Sequence, residues 1–151
     1  MTQTTRPEFI DLSKAEAVAL LQRGHVGRLA FTFHDKVDIE PISYVCVDDS
    51  IYGRTSPGTK LTTLKHHPWV AFQVDEVRSR FDWNSVVVRG TLYLLEPTGN
   101  EPDREAYERA VEVLRSVDAD ALTAGDATPH RRLVFRIFID EIVGKGARRA
   151  G

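Results

Sequence analysis

The chain has 151 residues, 42% of them hydrophobic and 28% charged, which is the length and composition of one globular domain. Twenty basic residues against twenty-two acidic ones leave a net charge of -2, which excludes both the strong positive field of a general nucleic-acid binder and the acidity of a disordered chain. The lone cysteine, Cys46, has no partner for an intrachain disulfide, and no apolar run approaches the roughly 18 residues that span a bilayer.

The opening Met-Thr-Gln-Thr-Thr-Arg-Pro lacks the apolar centre of a secretory signal, so a cytoplasmic protein without membrane or nucleic-acid partners is expected. Residues 1–11 read as a polar leading segment, 12–143 as the domain and 144–151 as a mobile basic tail. The first helix is marked by Ser13 and, three residues on, Glu16, a capping box. Leu12 can serve as a staple, and Ala17, Leu20 and Leu21 form an apolar face ending at Gly24.

From Val26 the apolar period becomes two. Residues 27–33 read as a strand, His34-Asp35-Lys36 as its turn, and 37–47 as a second strand interrupted at Pro41. Cys46, within the alternation Tyr44-Val45-Cys46-Val47, reads as a buried structural thiol. Asp48-Asp49-Ser50 turns the chain into a third short strand over residues 51–54. Ser56 as N-cap and Pro57 at the first helical position then open a short helix whose Leu61 and Leu64 face the core, and His67-Pro68 ends it.

Residues 69–74 form the next strand, with Trp69 expected in the core, and the charged run 75–80 reads as a turn. Residues 83–95, β-branched at their centre, read as the longest strand. A helix over 101–117 with Ala106, Ala110, Val113, Leu114 and Val117 on one face precedes a closing strand over 132–142. About six strands with short helices describe a mainly β (α+β) chain folded as a small antiparallel barrel.

Chemistry concentrates in Tyr52-Gly53-Arg54-Thr55-Ser56-Pro57-Gly58-Thr59-Lys60. A helix N-terminus leaves backbone N–H groups unpaired and carries partial positive charge, which suits a phosphate. Here Gly58 allows close approach, Ser56 and Thr59 add hydroxyls, and Arg54 and Lys60 add charge. The same pattern also fits an ordinary capped surface helix with basic neighbours. Neither a P-loop nor a Gly-x-Gly-x-x-Gly fingerprint is present. His66 and His67 are adjacent and no metal-ligand spacing occurs, so no metal is expected. No Gly-x-Ser-x-Gly elbow marks a hydrolase.

Four pieces in order, Gly27-Arg28-Leu29-Ala30, Pro41-Ile42-Ser43-Tyr44, Gly58-Thr59-Lys60-Leu61 and Trp83-Asn84-Ser85-Val86 running into Val88-Arg89-Gly90, resemble the FMN-binding split barrels of the pyridoxamine 5'-phosphate oxidase-like superfamily, most closely its nitroimidazole-resistance-type branch. The resemblance covers roughly residues 12–95. It implies a six-stranded antiparallel split β-barrel with flanking short helices, an FMN cofactor and a homodimer with the cofactor at its interface. It assigns the phosphate to Arg54, Thr55, Ser56, Thr59 and Lys60, the flavin's polar edge to Pro41, Ile42, Ser43 and Tyr44, and completion of the site to Trp83, Asn84 and Ser85.

The function implied is a flavin-dependent oxidoreductase acting on a small planar, nitro- or quinone-like substrate. A non-catalytic flavin-binding module, or the same barrel carrying a deazaflavin or haem, is the alternative. Arg54 stands where the nitroimidazole-resistance branch often carries histidine, so nitroimidazole reduction is not implied. The substrate-phosphate cations of true pyridoxamine phosphate oxidases have no counterpart in Leu133-Val134-Phe135-Arg136-Ile137-Phe138, so pyridoxine metabolism is not expected either. No residue reads as an indispensable catalytic acid or base.

Overall fold

A computed structural model describes residues 6–57, 61, 64 and 67–149. Its elements are β1 (Pro7–Asp11), α1 (Lys14–Arg23), β2 (Val26–Phe33), β3 (Lys36–Val47), β4 (Ser50–Thr55), β5 (Trp69–Ser79), β6 (Asp82–Leu95), α2 (Glu101–Arg115) and β7 (Leu133–Arg149). All strand pairings among them are antiparallel, in the order β1-β7-β4-β3-β2-β5-β6. A further pairing of β6 with β7 closes six of the strands into a ring. This is the expected split barrel with flanking helices, and β1 is a seventh strand added alongside the end of β7.

Local signals explain most boundaries. Ser13 caps α1 and exchanges hydrogen bonds with Glu16, both 3.1 Å, while Asn100 caps α2. His34 and Asp35, at φ 50 and 61, make the two-residue connection from β2 to β3, a left-handed pair whose twist suits a hairpin. Alternation on the strands sends Leu29, Phe31, Ile42, Tyr44, Phe72, Val74, Val86 and Val88 inward with the buried α1 residues Ala17, Leu20 and Leu21. A smaller cluster joins α2, through Ala110, Val113 and Leu114, to Tyr52 and Val134.

Six expectations give way. β3 is not interrupted at Pro41, which pairs with Arg28. The Tyr44 N–H donates to the His25 carbonyl at 3.0 Å, so with period two the nitrogen of Pro41 faces away from β2, at a point where pairing with β4 has not begun, and a missing donor costs nothing there. The charged run 75–80 is not a turn: β5 continues to Ser79 against β6, because backbone pairing needs no apolar side chains and the charges find partners, Arg23 with Glu76 at 2.5 Å and Arg28 with Asp75 at 3.3 Å.

Trp69 is 71% exposed rather than in the core, since Val70, Phe72 and Val74 take the inward positions and alternation turns Trp69 out. Val117 likewise lies past the end of α2 and is exposed. The longest strand is β7, not β6. It absorbs residues 144–149 of the expected tail, where they pair with both β6 and β1, so β1 and the tail secure each other. Lys145 bonds to Asp11, and Arg148 donates to the Trp83 carbonyl at 3.0 Å and to Asn84 Oδ1 at 2.7 Å.

Candidate functional site

The barrel wall opens where β3 and β4 part. Their pairing runs from Val47↔Ser50 to Tyr44↔Gly53 and stops. Beyond it, residues 41–43 and 54–56 diverge around a cleft of about 140 Å³ lined by Glu40, Pro41, Ile42, Ser43, Arg54, Thr55, Ser56 and Arg131. By the same period-two argument, the Ser43 N–H faces this gap. Gly53 sits at the fork because Phe135 passes beneath it: a Cβ there would lie 2.4 Å from that ring.

The cleft adjoins a larger cavity of about 380 Å³, to which Ser43, Arg54 and Arg131 are common. Leu114, Val117, Ala121 and Ala127, from the end of α2 and the following loop, give it an apolar side, and His25 and Asp118 stand at its wall. Its size falls in the range of small-molecule sites.

Arg54 is committed to the protein itself. Its side chain is only 10% exposed and donates to both oxygens of Asp126, at 2.6 and 3.4 Å, to Thr128 Oγ1 at 3.2 Å and to the Arg131 carbonyl at 3.1 Å, while Asp118 lies 3.6 Å away. Asp126 also accepts from the backbone N–H groups of Leu122 and Thr128, at 2.8 and 2.9 Å. The Arg54 guanidinium, aided by these two N–H groups, holds the Asp126 carboxyl well below the usual carboxylate range. This clamp fastens the loop after α2 over β4 and sustains Leu122 at φ 61, a left-handed conformation unfavourable to leucine.

Of the residues expected at a site, Pro41, Ile42, Ser43, Arg54, Thr55 and Ser56 line the cleft, and Tyr44 lines only the adjoining cavity, with Ser43 and Arg54. The Tyr44 hydroxyl is buried and donates to the Leu21 carbonyl at 2.6 Å, and burial pushes its pKa up. Thr59 and Lys60 lie outside the described residues. Trp83, Asn84 and Ser85 are elsewhere in the chain: β6 is three strands from β3 across β2 and β5, about 14 Å at the ordinary strand spacing. There Ser85 accepts from Gln73 at 2.9 Å, Asn84 from Arg148, and Trp83 tilts against Phe9 with centroids 6.4 Å apart.

Sequence reasoning missed Asp118, Asp126, Thr128 and Arg131. The available signal was weak: Asp126-Ala127-Thr128 can form a local carboxylate-to-backbone turn, which says nothing about what lies across from it.

A family model described as pyridoxamine 5'-phosphate oxidase matches residues 13–146. The chain belongs to this family. Among solved members of the fold, an FAD-binding protein from Mesorhizobium loti is 28% identical, with a TM-score of 0.71 over 93% of this chain and 98% of its own. An FAD-binding protein from Mycobacterium smegmatis, at 24% identity and a TM-score of 0.63 over 91% and 98% of the two chains, shares the fold. An uncharacterized protein of Rhizobium meliloti is 32% identical over 87 residues, and the match spans 58% of this chain and 58% of that relative's length. Within this pyridoxamine 5'-phosphate oxidase family chain, no helix among the described residues is long and apolar enough to cross a membrane.

Proposed function

We propose that the chain binds a flavin, FMN foremost, in the opening between β3 and β4 and uses it to oxidise or reduce a small planar substrate of nitro or quinone type. The observation that carries this reading is the cleft itself. In a chain of this family, it brings Ser43, Ser56 and Arg131, with residues 41–43 of β3, to line one space. That donor set fits a phosphorylated heterocycle, with N–H and hydroxyl donors for a polar ring edge and a cation for an anion.

A bound flavin would supply the hydride chemistry, and the protein's part is to hold and orient it. Ser43 would offer its N–H and hydroxyl to the ring edge, where donors favour negative charge on the reduced form. Thr55 and Ser56, with Thr59 and Lys60, would meet the phosphate. The apolar wall of Leu114, Val117, Ala121 and Ala127 would exclude water from one side.

The same reading includes a homodimer. Val26, Val37, Ile39, Trp69 and Val77 expose more than half their surface on the outer side of β2, β3 and β5, an apolar face suited to a second copy. A second copy would also bring another Trp83-Asn84-Ser85 segment within reach of the cleft, which one chain alone does not. FAD is the second reading, favoured by the Mesorhizobium loti protein's FAD and by the roomy cavity beside the cleft.

Fluorescence titration of the dialysed protein with FMN, FAD and riboflavin tests this. Tight FMN binding with weak riboflavin binding is expected, and preference for FAD would select the second reading. Binding of none of the three would overturn the flavin assignment. Consumption of NADH or NADPH with an artificial acceptor then separates an enzyme from a flavin-storage module.

A further inference from the structure

We propose that Arg131 is a cation that engages the phosphoryl group of the ligand in the β3–β4 opening, and that Arg54 and Asp126 are positioning residues that hold it there. The inference deepens the flavin reading only in naming the ligand; the anion assignment stands on the cleft.

Arg54 is poorly placed to bind a ligand anion. Its guanidinium meets the Asp126 carboxylate at 2.6 Å and the Asp118 carboxylate at 3.6 Å, and its remaining contacts go to Thr128 and the Arg131 carbonyl. One positive charge thus faces two negative ones. An incoming phosphate would meet a locally negative field unless another cation stood at the opening.

Arg131 supplies that cation. It lines both the cleft and the larger cavity. The residue is exposed, and among the described residues its bonds are made by the backbone, with no hydrogen bond or ion pair from the guanidinium. Its backbone is fixed at both ends of the residue: the N–H donates to the Thr128 carbonyl at 3.0 Å, and the carbonyl accepts from Arg54 at 3.1 Å. An immobilised backbone carrying an uncommitted guanidinium is the arrangement expected of a ligand-binding arginine, since part of the ordering cost is met before the ligand arrives. Ser43 and Ser56, which line the same space, carry hydroxyls that can add to a donor set for phosphate oxygens.

The test compares wild type with Arg131→Ala, Arg131→Lys and Arg132→Ala, the last removing an exposed neighbouring cation that lines neither cavity. Titrations use FMN, riboflavin and inorganic pyrophosphate. Arg131→Ala should weaken FMN and pyrophosphate by about 10- to 100-fold, the loss of one charge-assisted hydrogen bond, and leave riboflavin unchanged. Arg131→Lys should recover part of the loss, and Arg132→Ala should behave as wild type. Unchanged melting temperature in Arg131→Ala is expected, because the side chain is exposed.

Equal FMN binding in wild type and Arg131→Ala, or equal weakening of FMN and riboflavin, would overturn the assignment. If wild type binds no flavin but binds pyrophosphate through Arg131, the flavin reading falls and the anion site stands. If pyrophosphate binding is absent or insensitive to Arg131 as well, both fall.

Discussion

The two sides of the barrel wall are held together differently. Along one side, β6 and β7 stay paired from Trp83↔Ala147 to Leu95↔Val134, with a single irregularity between Arg89 and Gly90, over fully buried Val86, Val88, Phe135 and Ile137. On the other, β3 and β4 separate after Tyr44↔Gly53, and just beyond the fork Arg54 of β4 is ion-paired with Asp126 in the loop after α2. The contrast shows where a closed sheet can take a ligand: backbone donors become available only where the ladder lapses, and stability must then come from the continuous seam and the core beneath it.

Breaking the seam side should cost most. Phe135 is fully buried, lies on β7 between Gly53 and Leu94, and packs under the fork, so Phe135→Ala should destabilise the fold by about 3–5 kcal/mol. Chemical denaturation measures this, and a loss below about 1 kcal/mol would mean that the seam does not carry the fold.

On the gap side the effect should be smaller and depend on pH. The Asp126 carboxyl is held below its ordinary 3.8, so the native state binds fewer protons than the unfolded one. The stabilisation is therefore present above pH 3.8 and lost as pH falls below it. Glu16 and Glu76 are lowered too, through Ser13 and Arg23, so only the difference between proteins isolates the clamp. Asp126→Asn should melt earlier than wild type at neutral pH, and the two melting temperatures should converge on acidification below about pH 4. A constant difference across that range would show that Asp126 acts through shape rather than charge.

The smallest effect concerns Cys46, on the inner face of β3 just before the strands part. Burial, with Asp48 and Asp49 adding to it, pushes its thiol up to about 11. The native protein should therefore resist alkylation at pH 8 and react on unfolding. Rapid native labelling would mean that the opening extends further down β3 than residue 44.

Much of this was legible in the sequence where the signal is local. The Ser13 and Glu16 capping box, the period-two runs through β2, β3 and β4, and the inward Leu61 and Leu64 depend on neighbours a few residues away. The candidate cleft was half legible. Pro41, Ile42, Ser43, Arg54, Thr55 and Ser56 do meet around one space, but the partner that occupies Arg54 lies 72 residues further along the chain. Composition also misled on the charged run 75–80, because charge says where solvent is and not whether a backbone is paired.

By itself, then, the sequence determined most of the strands and helices, which of their faces are apolar, and which short stretches offer hydroxyls and cations to a ligand. Those properties follow from periodicity, capping and side-chain chemistry. Only the tertiary structure decided that β3 and β4 part at Gly53, that Asp126 takes up Arg54, that Arg131 is left facing the opening, and that residues 144–149 continue β7 instead of trailing in solvent. Each of these depends on pairing between residues distant in sequence, and such pairing leaves no local pattern to read.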